Sequence, residues 1–107
     1  MKLQNATALV TGGSSGIGRA IAQMLVDAGA SVAITGRDNR KLKEAAEALQ
    51  AQAIRADVSD EADVERTYRE LLDKFDHLDI LIKNAGFGVF KNLIDMDRPS
   101  MVTYLSW

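Results

Sequence analysis

Short apolar runs alternate with longer amphipathic segments along most of this chain. Four runs have the length and composition of β-strands, and they are Thr7–Val10, Ser31–Thr35, Ala53–Asp57 and Leu78–Ile82. The first, second and fourth lack the polar alternation of a half-exposed strand, which is typical of a parallel sheet covered on both faces. The pattern therefore favours buried strands in an α/β protein.

Three helix-length segments lie between these strands. The first carries apolar residues at helical spacing, namely Ile17, Ile21, Met24, Leu25 and Ala28. Gly29 is positioned to end this helix, because glycine readily adopts the left-handed conformation that follows many helices. Asp38 or Asn39 is predicted to cap the second helix, and Ser59 is predicted to cap the third.

This order, βαβαβαβ, predicts a Rossmann-type α/β fold. Short loops between strands and helices imply parallel strands joined by right-handed crossovers. We therefore predict a sheet with strand order 3-2-1-4, with the first two helices on one face and the third on the other. Residues 1–90 are assigned to a Rossmann half-domain with this strand order. Residues 91–107 are assigned to an atypical C-terminal tail, because periodicity weakens beyond Gly86 and Pro99 interrupts the segment.

Composition narrows the class of function. The 107 residues are 47% hydrophobic and 26% charged, as in an ordinary globular domain. A net charge of −2 without long blocks of one sign argues against nucleic acid or an anionic membrane as a partner. Without cysteine and with a single histidine, the chain is predicted to hold no metal. The absence of a signal-peptide pattern and of an apolar run of membrane-spanning length leads us to expect a cytoplasmic protein.

The stretch TGGSSGIGRA, from Thr11 to Ala20, places small residues between the first strand and the first helix. Unpaired N–H groups and the positive end of the helix dipole meet there, so the turn suits an anion such as a diphosphate. A side chain at Gly12, Gly16 or Gly18 would block the ligand or hold helix and strand apart. The spacing matches neither a P-loop nor Gly-x-Gly-x-x-Gly, and a glycine-rich turn without any ligand is the alternative.

The second strand ends in TGRD, where a Rossmann-type site contacts the adenosine ribose. Gly36 leaves room and Arg37 supplies a bidentate cation, a combination that suits a 2′-phosphate better than a bare 2′-hydroxyl. Asp38 is able to accept a hydrogen bond from a ribose hydroxyl, but it is also the expected helix cap. A solvated surface arginine is the alternative for Arg37.

Two further strand ends carry candidate ligand-binding residues. Asp57 and Val58 follow the third strand, at the edge where an adenine would lie, and loop capping is the alternative for Asp57. Asn84, Ala85 and Gly86 follow the fourth strand. The side-chain amide of Asn84 can tie neighbouring strand ends together, and the small residues Ala85 and Gly86 let a ligand approach the backbone.

The motifs TGGSSGIG, DV and NAG, in this order and spacing, resemble the short-chain dehydrogenase/reductase family. TGR is similar to its NADP-preferring members, such as 3-oxoacyl-carrier-protein reductases. The resemblance covers Lys2 to about Phe90 and implies hydride transfer between a nicotinamide and a carbonyl or alcohol, with NADP favoured over NAD. It places Ser14 and Arg37 on the 2′-phosphate. The implied cofactor-binding residues are Gly12, Ser14, Ser15, Gly16, Ile17, Gly18, Arg37, Asp57, Val58, Asn84, Ala85 and Gly86.

The chain departs from the family pattern at two points. Lys83 stands where the family has the first asparagine of Asn-Asn-Ala-Gly, and it is expected either to contact a phosphate or ribose or to extend into solvent. The family's catalytic serine and Tyr-x-x-x-Lys pair cannot be placed. Tyr68 is followed at the fourth position by Leu72, and Tyr104 has only three residues after it. No catalytic residue is therefore assigned, and this chain alone is expected to be inactive.

The predicted sheet is truncated relative to the full family fold. Its fourth strand would be an exposed edge, and the face with one helix would expose apolar area. We therefore expect a homo-oligomer formed through that edge or face. Residues from about Asp97 are not expected to be the family's natural continuation. The alternatives to an oxidoreductase are a non-catalytic NADP-binding module and an oligomeric remnant that binds nothing.

Overall fold

The computed structural model of the protein describes residues 3–14, 16–57 and 60–83, together with the backbone of residues 103–106. Its elements follow the predicted alternation of strands and helices. In chain order they are β1 (Thr7–Thr11), α1 (Gly16–Asp27), β2 (Ser31–Gly36), α2 (Asn39–Leu49), β3 (Gln52–Arg55), α3 (Glu61–Phe75), β4 (Ile80–Lys83) and β5 (Thr103–Ser106). Because β3 ends at Arg55 rather than at the predicted Asp57, Asp57 lies in the loop that follows the strand.

All five strands are parallel and form one sheet in the order β3-β2-β1-β4-β5. The predicted order 3-2-1-4 is confirmed for the first four strands. Leu9 of β1 lies opposite Ala33 of β2 on one side and Leu81 of β4 on the other. Since the strands run in one direction, their carboxyl ends share an edge, which is where open α/β sheets bind their ligands.

The fifth strand corrects the prediction that β4 is an exposed edge. Thr103–Ser106 pairs in parallel with Ile80–Lys83, and Leu81 lies opposite Tyr104. This ladder supplies partners to backbone groups that an edge strand would leave unpaired. The sequence analysis did not predict β5, because this strand lies beyond Gly86, where the apolar residues show no clear period.

Helices cover both faces of the sheet, as predicted. Residues of α1 and α2 form one buried cluster with Val10, Ile34 and Ile82 of the strands. Residues of α3 form a second cluster on the opposite face. Its buried members are Leu9, Ala33, Ile54, Val64, Tyr68, Leu71, Leu78 and Leu81.

The face covered by α3 does not expose the apolar area that we expected from the sequence. Leu9, Ala33 and Leu81, at the centre of this face, are each 0% exposed. The long side chains of α3 explain the difference, because Tyr68 is buried and Phe75 packs against the same cluster. Within the described ranges, α3 therefore packs on the middle of this face.

The buried stripe of α1 also differs from the predicted one. Gly18, Ala22 and Leu25 are the buried residues of this helix, whereas Ile17 and Met24 are 56% and 70% exposed. Glycine and alanine let the helix axis approach the sheet closely, Leu25 packs into the core, and Ile17 and Met24 are turned outward. The apolar spacing predicted the helix correctly but did not identify the face that packs on the sheet.

Aspartate side chains cap the amino ends of two of the helices. Asp38 caps α2 by accepting hydrogen bonds from the N–H groups of Arg40 and Lys41 at 3.0 and 3.2 Å, as one of the predicted alternatives. The cap of α3 is Asp60, which accepts from the N–H of Ala62 at 2.9 Å. The prediction of Ser59 was wrong by one residue, because the capping side chain must immediately precede the first helical residue.

Candidate functional site

The turn after β1 is fixed by hydrogen bonds to the strands on both sides. The hydroxyl of Thr11 donates to the carbonyl of Ile82 at 3.5 Å. On the other side, Gly12 N–H donates to Thr35 Oγ1 at 3.4 Å and Gly13 N–H donates to the Thr35 carbonyl at 3.2 Å. The start of the turn is therefore attached to β2 and β4 before the chain enters α1.

Glycines in this turn are required either by a positive φ or by the lack of room for a side chain. Gly12 and Gly16 have φ values of +68° and +62°, in the left-handed region that glycine adopts without steric cost. A Cβ added at Gly13 would lie 2.6 Å from Cγ2 of Ile34, which is a severe clash. A Cβ added at Gly16 would have no atom of the described chain within 4 Å. Open space therefore lies at the amino end of α1, where a phosphate would bind.

Gly18 and Ile17 have different positions in the first turn of α1. Gly18 is buried on the side of the helix that faces the sheet, where it permits close packing. Ile17 is exposed beside the open space at Gly16. Of the predicted residues in this segment, Ser15 lies outside the described residues.

Ser14 brings the glycine turn into contact with the end of β2. Its Oγ lies 3.3 Å from the position that a Cβ on Gly36 would occupy. Arg37 follows immediately and is exposed. The structure therefore places a hydroxyl beside a strand end that lacks a side chain, and Arg37 is the next residue along the chain.

The charge of Arg37 is not neutralised by its neighbour in the chain. Asp38 directs its carboxylate to the N–H groups at the start of α2, so the capping interpretation of this residue is confirmed. Within the described ranges, no carboxylate forms an ion pair with Arg37.

The end of β3 lies next to the end of β2. Ala56 N–H donates to the carbonyl of Gly36 at 3.1 Å, and Asp57 N–H donates to Asp63 Oδ2 at 2.9 Å. The Asp57 carbonyl accepts from the N–H of Asp60 at 2.9 Å. These bonds hold the backbone of the half-buried Asp57 at the carboxyl edge of the sheet.

Four other predicted residues, Val58, Asn84, Ala85 and Gly86, lie outside the described residues. Lys83 is half-buried at the end of β4, opposite Thr11 in the register. Among the described residues, no group of three or more His, Cys, Asp and Glu is placed to hold a metal ion. In the same part of the chain, no helix has both the length and the apolar character needed to cross a membrane.

Three residues that shape the site were missed by the sequence analysis. Thr35 holds the turn after β1, Gly13 gives it room against Ile34, and Asp63 holds the loop after β3. The paired glycines of the motif were a signal for Gly13. Nothing in the pattern indicated Thr35 or Asp63, because their partners are 23 and 6 positions away along the chain.

Comparison with known proteins adds a family to this geometry. The family model described as short chain dehydrogenase matches residues 6–105. A sorbitol dehydrogenase of Cereibacter sphaeroides is 40% identical over 106 residues, which cover 94% of this chain and 40% of that protein. Both matches continue past Asp97, into residues that we had assigned to an atypical tail.

Two solved structures share the fold. A 3-ketoacyl-(acyl-carrier-protein) reductase from Brucella melitensis, complexed with NADH, superposes with a TM-score of 0.75 at 39% identity. The Pseudomonas aeruginosa RhlG/NADP complex gives 0.73 at 44% identity. The superpositions cover 79% and 80% of this chain, but only 36% of each of the two reductases.

Proposed function

Since this chain belongs to the short-chain dehydrogenase family, we propose that its glycine turn and the adjoining strand ends bind NADP(H). The observation that carries this proposal is the position of Ser14, whose Oγ lies beside Gly36, the residue that precedes Arg37 in the chain. A hydroxyl donor and a guanidinium at one strand end suit the dianionic 2′-phosphate of NADP. NAD has a neutral hydroxyl at that position and is the less favoured cofactor.

The diphosphate is proposed to bind at the amino end of α1. The space beside Gly16 is free of described side chains, and the first turn of a helix has N–H groups without partners inside the helix, which suit an anion. The proposed contacts are Gly12, Ser14, Ser15, Gly16, Ile17 and Gly18. Thr35 keeps this turn in place by accepting hydrogen bonds from the N–H groups of Gly12 and Gly13, which precede the first turn of α1.

The remaining contacts are proposed at the ends of β3 and β4. Asp57 and Val58 would contact the adenine, and Asn84, Ala85 and Gly86 the ribose on the nicotinamide side. When bound, the cofactor supplies or accepts a hydride at its nicotinamide ring. The chain's own contribution is to hold the diphosphate, the 2′-phosphate and the adenosine at fixed strand ends.

For the whole protein we propose hydride transfer between the nicotinamide and a carbonyl or alcohol. These 107 residues contain no Tyr-x-x-x-Lys pair, and Tyr68 is only 6% exposed within the α3 cluster. A bound cofactor would lack a positioned proton donor, so we propose that this chain alone binds NADP(H) without turning over a substrate. The two kinds of relative, a sorbitol dehydrogenase and ketoacyl reductases, leave the substrate unassigned.

The second candidate function is that of a non-catalytic NADP-binding module or an oligomeric remnant. In either case we propose a cytoplasmic homo-oligomer. The observation that supports an assembly is β3, the outer strand of the sheet, where Gln52, Ala53 and Arg55 are exposed. Light scattering tests this part of the proposal, and a monomer of 11.6 kDa at high concentration would contradict it.

Calorimetric titration with NADPH and NADH tests the binding site. NADPH is expected to bind, and Arg37→Ala is expected to weaken it by about 1.5–3 kcal/mol, the usual range for a hydrogen bond to a charged group. Arg69→Ala is the matched control, because it removes the same charge from an exposed position on α3. Absence of NADPH binding by the unsubstituted chain would refute the proposed cofactor and favour the remnant.

A further inference from the structure

One turn of α3 is joined to the end of β3 by two side chains. Asp63 Oδ2 accepts the N–H of Asp57 at 2.9 Å. Arg66 donates from Nη2 to the carbonyl of Arg55, and the same nitrogen lies 3.7 Å from Asp63 Oδ1. The backbone on both sides of Ala56 is therefore held from α3.

The side chains of this connection are themselves fixed. Arg66 Nη1 lies 2.8 Å from Glu70 Oε1, one turn further along the helix. The side chain of Asp63 is only 26% exposed, so its bond to the Asp57 N–H is partly protected from competition with water. Since Asp60 caps the helix, the Asp63 carboxylate is left to serve the loop after β3.

The opposite side of the same loop is held from β2. Ala56 N–H donates to the carbonyl of Gly36, the residue beside Ser14. The backbone at Asp57 is thus attached on one side to the strand end that we assign to the 2′-phosphate, and on the other side to α3.

We propose that Asp63 is a positioning residue for the adenine of the cofactor. It acts through Asp57, whose carboxylate is suited to accept a hydrogen bond from the adenine 6-amino group. This inference rests on the proposed function, which places adenine at the end of β3. Losing the Asp63 acceptor releases the Asp57 N–H from α3 and weakens recognition of the base, while the glycine turn still binds the diphosphate.

Two cofactors distinguish recognition of the base from general binding. NADPH is compared with its hypoxanthine analogue, which carries an oxygen in place of the 6-amino group. The unsubstituted chain is expected to prefer NADPH by about tenfold, the effect of one hydrogen bond to a charged group. Asp63→Ala is expected to weaken NADPH binding by about tenfold and to bring the preference close to one, because the analogue never made that bond.

Matched variants separate this role from a general effect on the helix. Asp63→Asn keeps an oxygen acceptor for the Asp57 N–H and is expected to restore most of the affinity and preference. Glu61→Ala removes a charge from the same first turn of α3 and is expected to change neither. Should thermal unfolding show that Asp63→Ala does not fold, Asp63→Glu replaces it, since it keeps the charge but displaces the acceptor.

Each outcome decides the inference. A folded Asp63→Ala or Asp63→Glu protein with the original affinity and preference would overturn it and leave the proposed function standing. Equal weakening for both cofactors, with the preference retained, would show a general structural role and would also overturn it. If the unsubstituted chain binds neither cofactor, the proposed function fails, and the role in positioning adenine fails with it.

Discussion

Thr7 and Asp79 form two hydrogen bonds with each other across the start of the sheet. Thr7 N–H donates to Asp79 Oδ2 at 2.9 Å, and Asp79 N–H donates to the Thr7 carbonyl at 3.0 Å. The same carboxylate oxygen lies 2.9 Å from Nε2 of His77. The side chain of Asp79 thus extends the β1–β4 ladder at the edge opposite the candidate site.

Removing this carboxylate should destabilise the protein without touching the ligand site. Asp79→Ala leaves the Thr7 N–H without its acceptor, and we expect the free energy of unfolding to fall by about 1–3 kcal/mol. Asp79→Asn keeps an oxygen acceptor and should lose less. Denaturant titration measures both, with Asp73→Ala, an exposed carboxylate on α3, as the control. Equal stability of Asp79→Ala and the control would show that the bond is unimportant.

Two alanine substitutions in the glycine turn should have different consequences. Gly13→Ala places a Cβ 2.6 Å from Ile34 Cγ2, so the turn or β2 must shift. Gly16→Ala meets no described atom within 4 Å and costs only the strain of its positive φ, about 1–2 kcal/mol. We therefore expect Gly13→Ala to have the lower melting temperature. The reverse order would contradict the packing around Ile34.

Gly36→Asp should reverse the cofactor preference. Its Cβ would lie 3.3 Å from Ser14 Oγ, and the new carboxylate would repel a 2′-phosphate while accepting a bond from a 2′-hydroxyl. We expect the ratio of NADPH to NADH affinity to fall by at least about tenfold, on the scale of one charge-assisted contact. Gly36→Ala fills the same space without charge and serves as the control in parallel titrations. An unchanged ratio in Gly36→Asp would place the ribose elsewhere.

Deleting residues 103–107 should promote association of the chain. The deletion removes β5 and leaves the outer side of β4 without its ladder, which is a template for pairing with another chain. Light scattering is expected to show higher mass at equal concentration. Deleting Trp107 alone leaves β5 in place and provides the comparison. Identical behaviour of the two deletions would argue that β5 does not protect β4.

The topology of the first four strands was predictable because it depends on few facts. Buried runs of four to six residues, separated by amphipathic segments and short loops, leave little freedom under parallel pairing and right-handed crossovers. Side-chain packing was less predictable. The outward position of Met24 and the burial of Gly18 depend on how closely α1 approaches the sheet, and periodicity does not contain that distance.

The sequence motifs named candidate ligand-binding residues but did not indicate the residues that support them. Gly16, Ser14 and Arg37 stand in recognisable local motifs, because a phosphate needs bare backbone, hydroxyls and cations. Thr35 and Asp63 support the same site through contacts that arise only when strands and helices come together. A threonine in a strand and an aspartate in a helix carry no such signal by themselves.

Thr35 supports two parts of the proposed cofactor site at once. Its hydroxyl and its carbonyl accept hydrogen bonds from Gly12 and Gly13, the first two glycines of the glycine turn. The next residue along β2 is Gly36, beside the proposed 2′-phosphate position. Any substitution that bends the end of β2 to accommodate a ribose with a different 2′ group therefore also moves the glycine turn. Variants that exchange one cofactor for the other by changing residues 36 and 37 should therefore retain Thr35. The same residue supports both the position that distinguishes the cofactors and the turn proposed to bind the diphosphate.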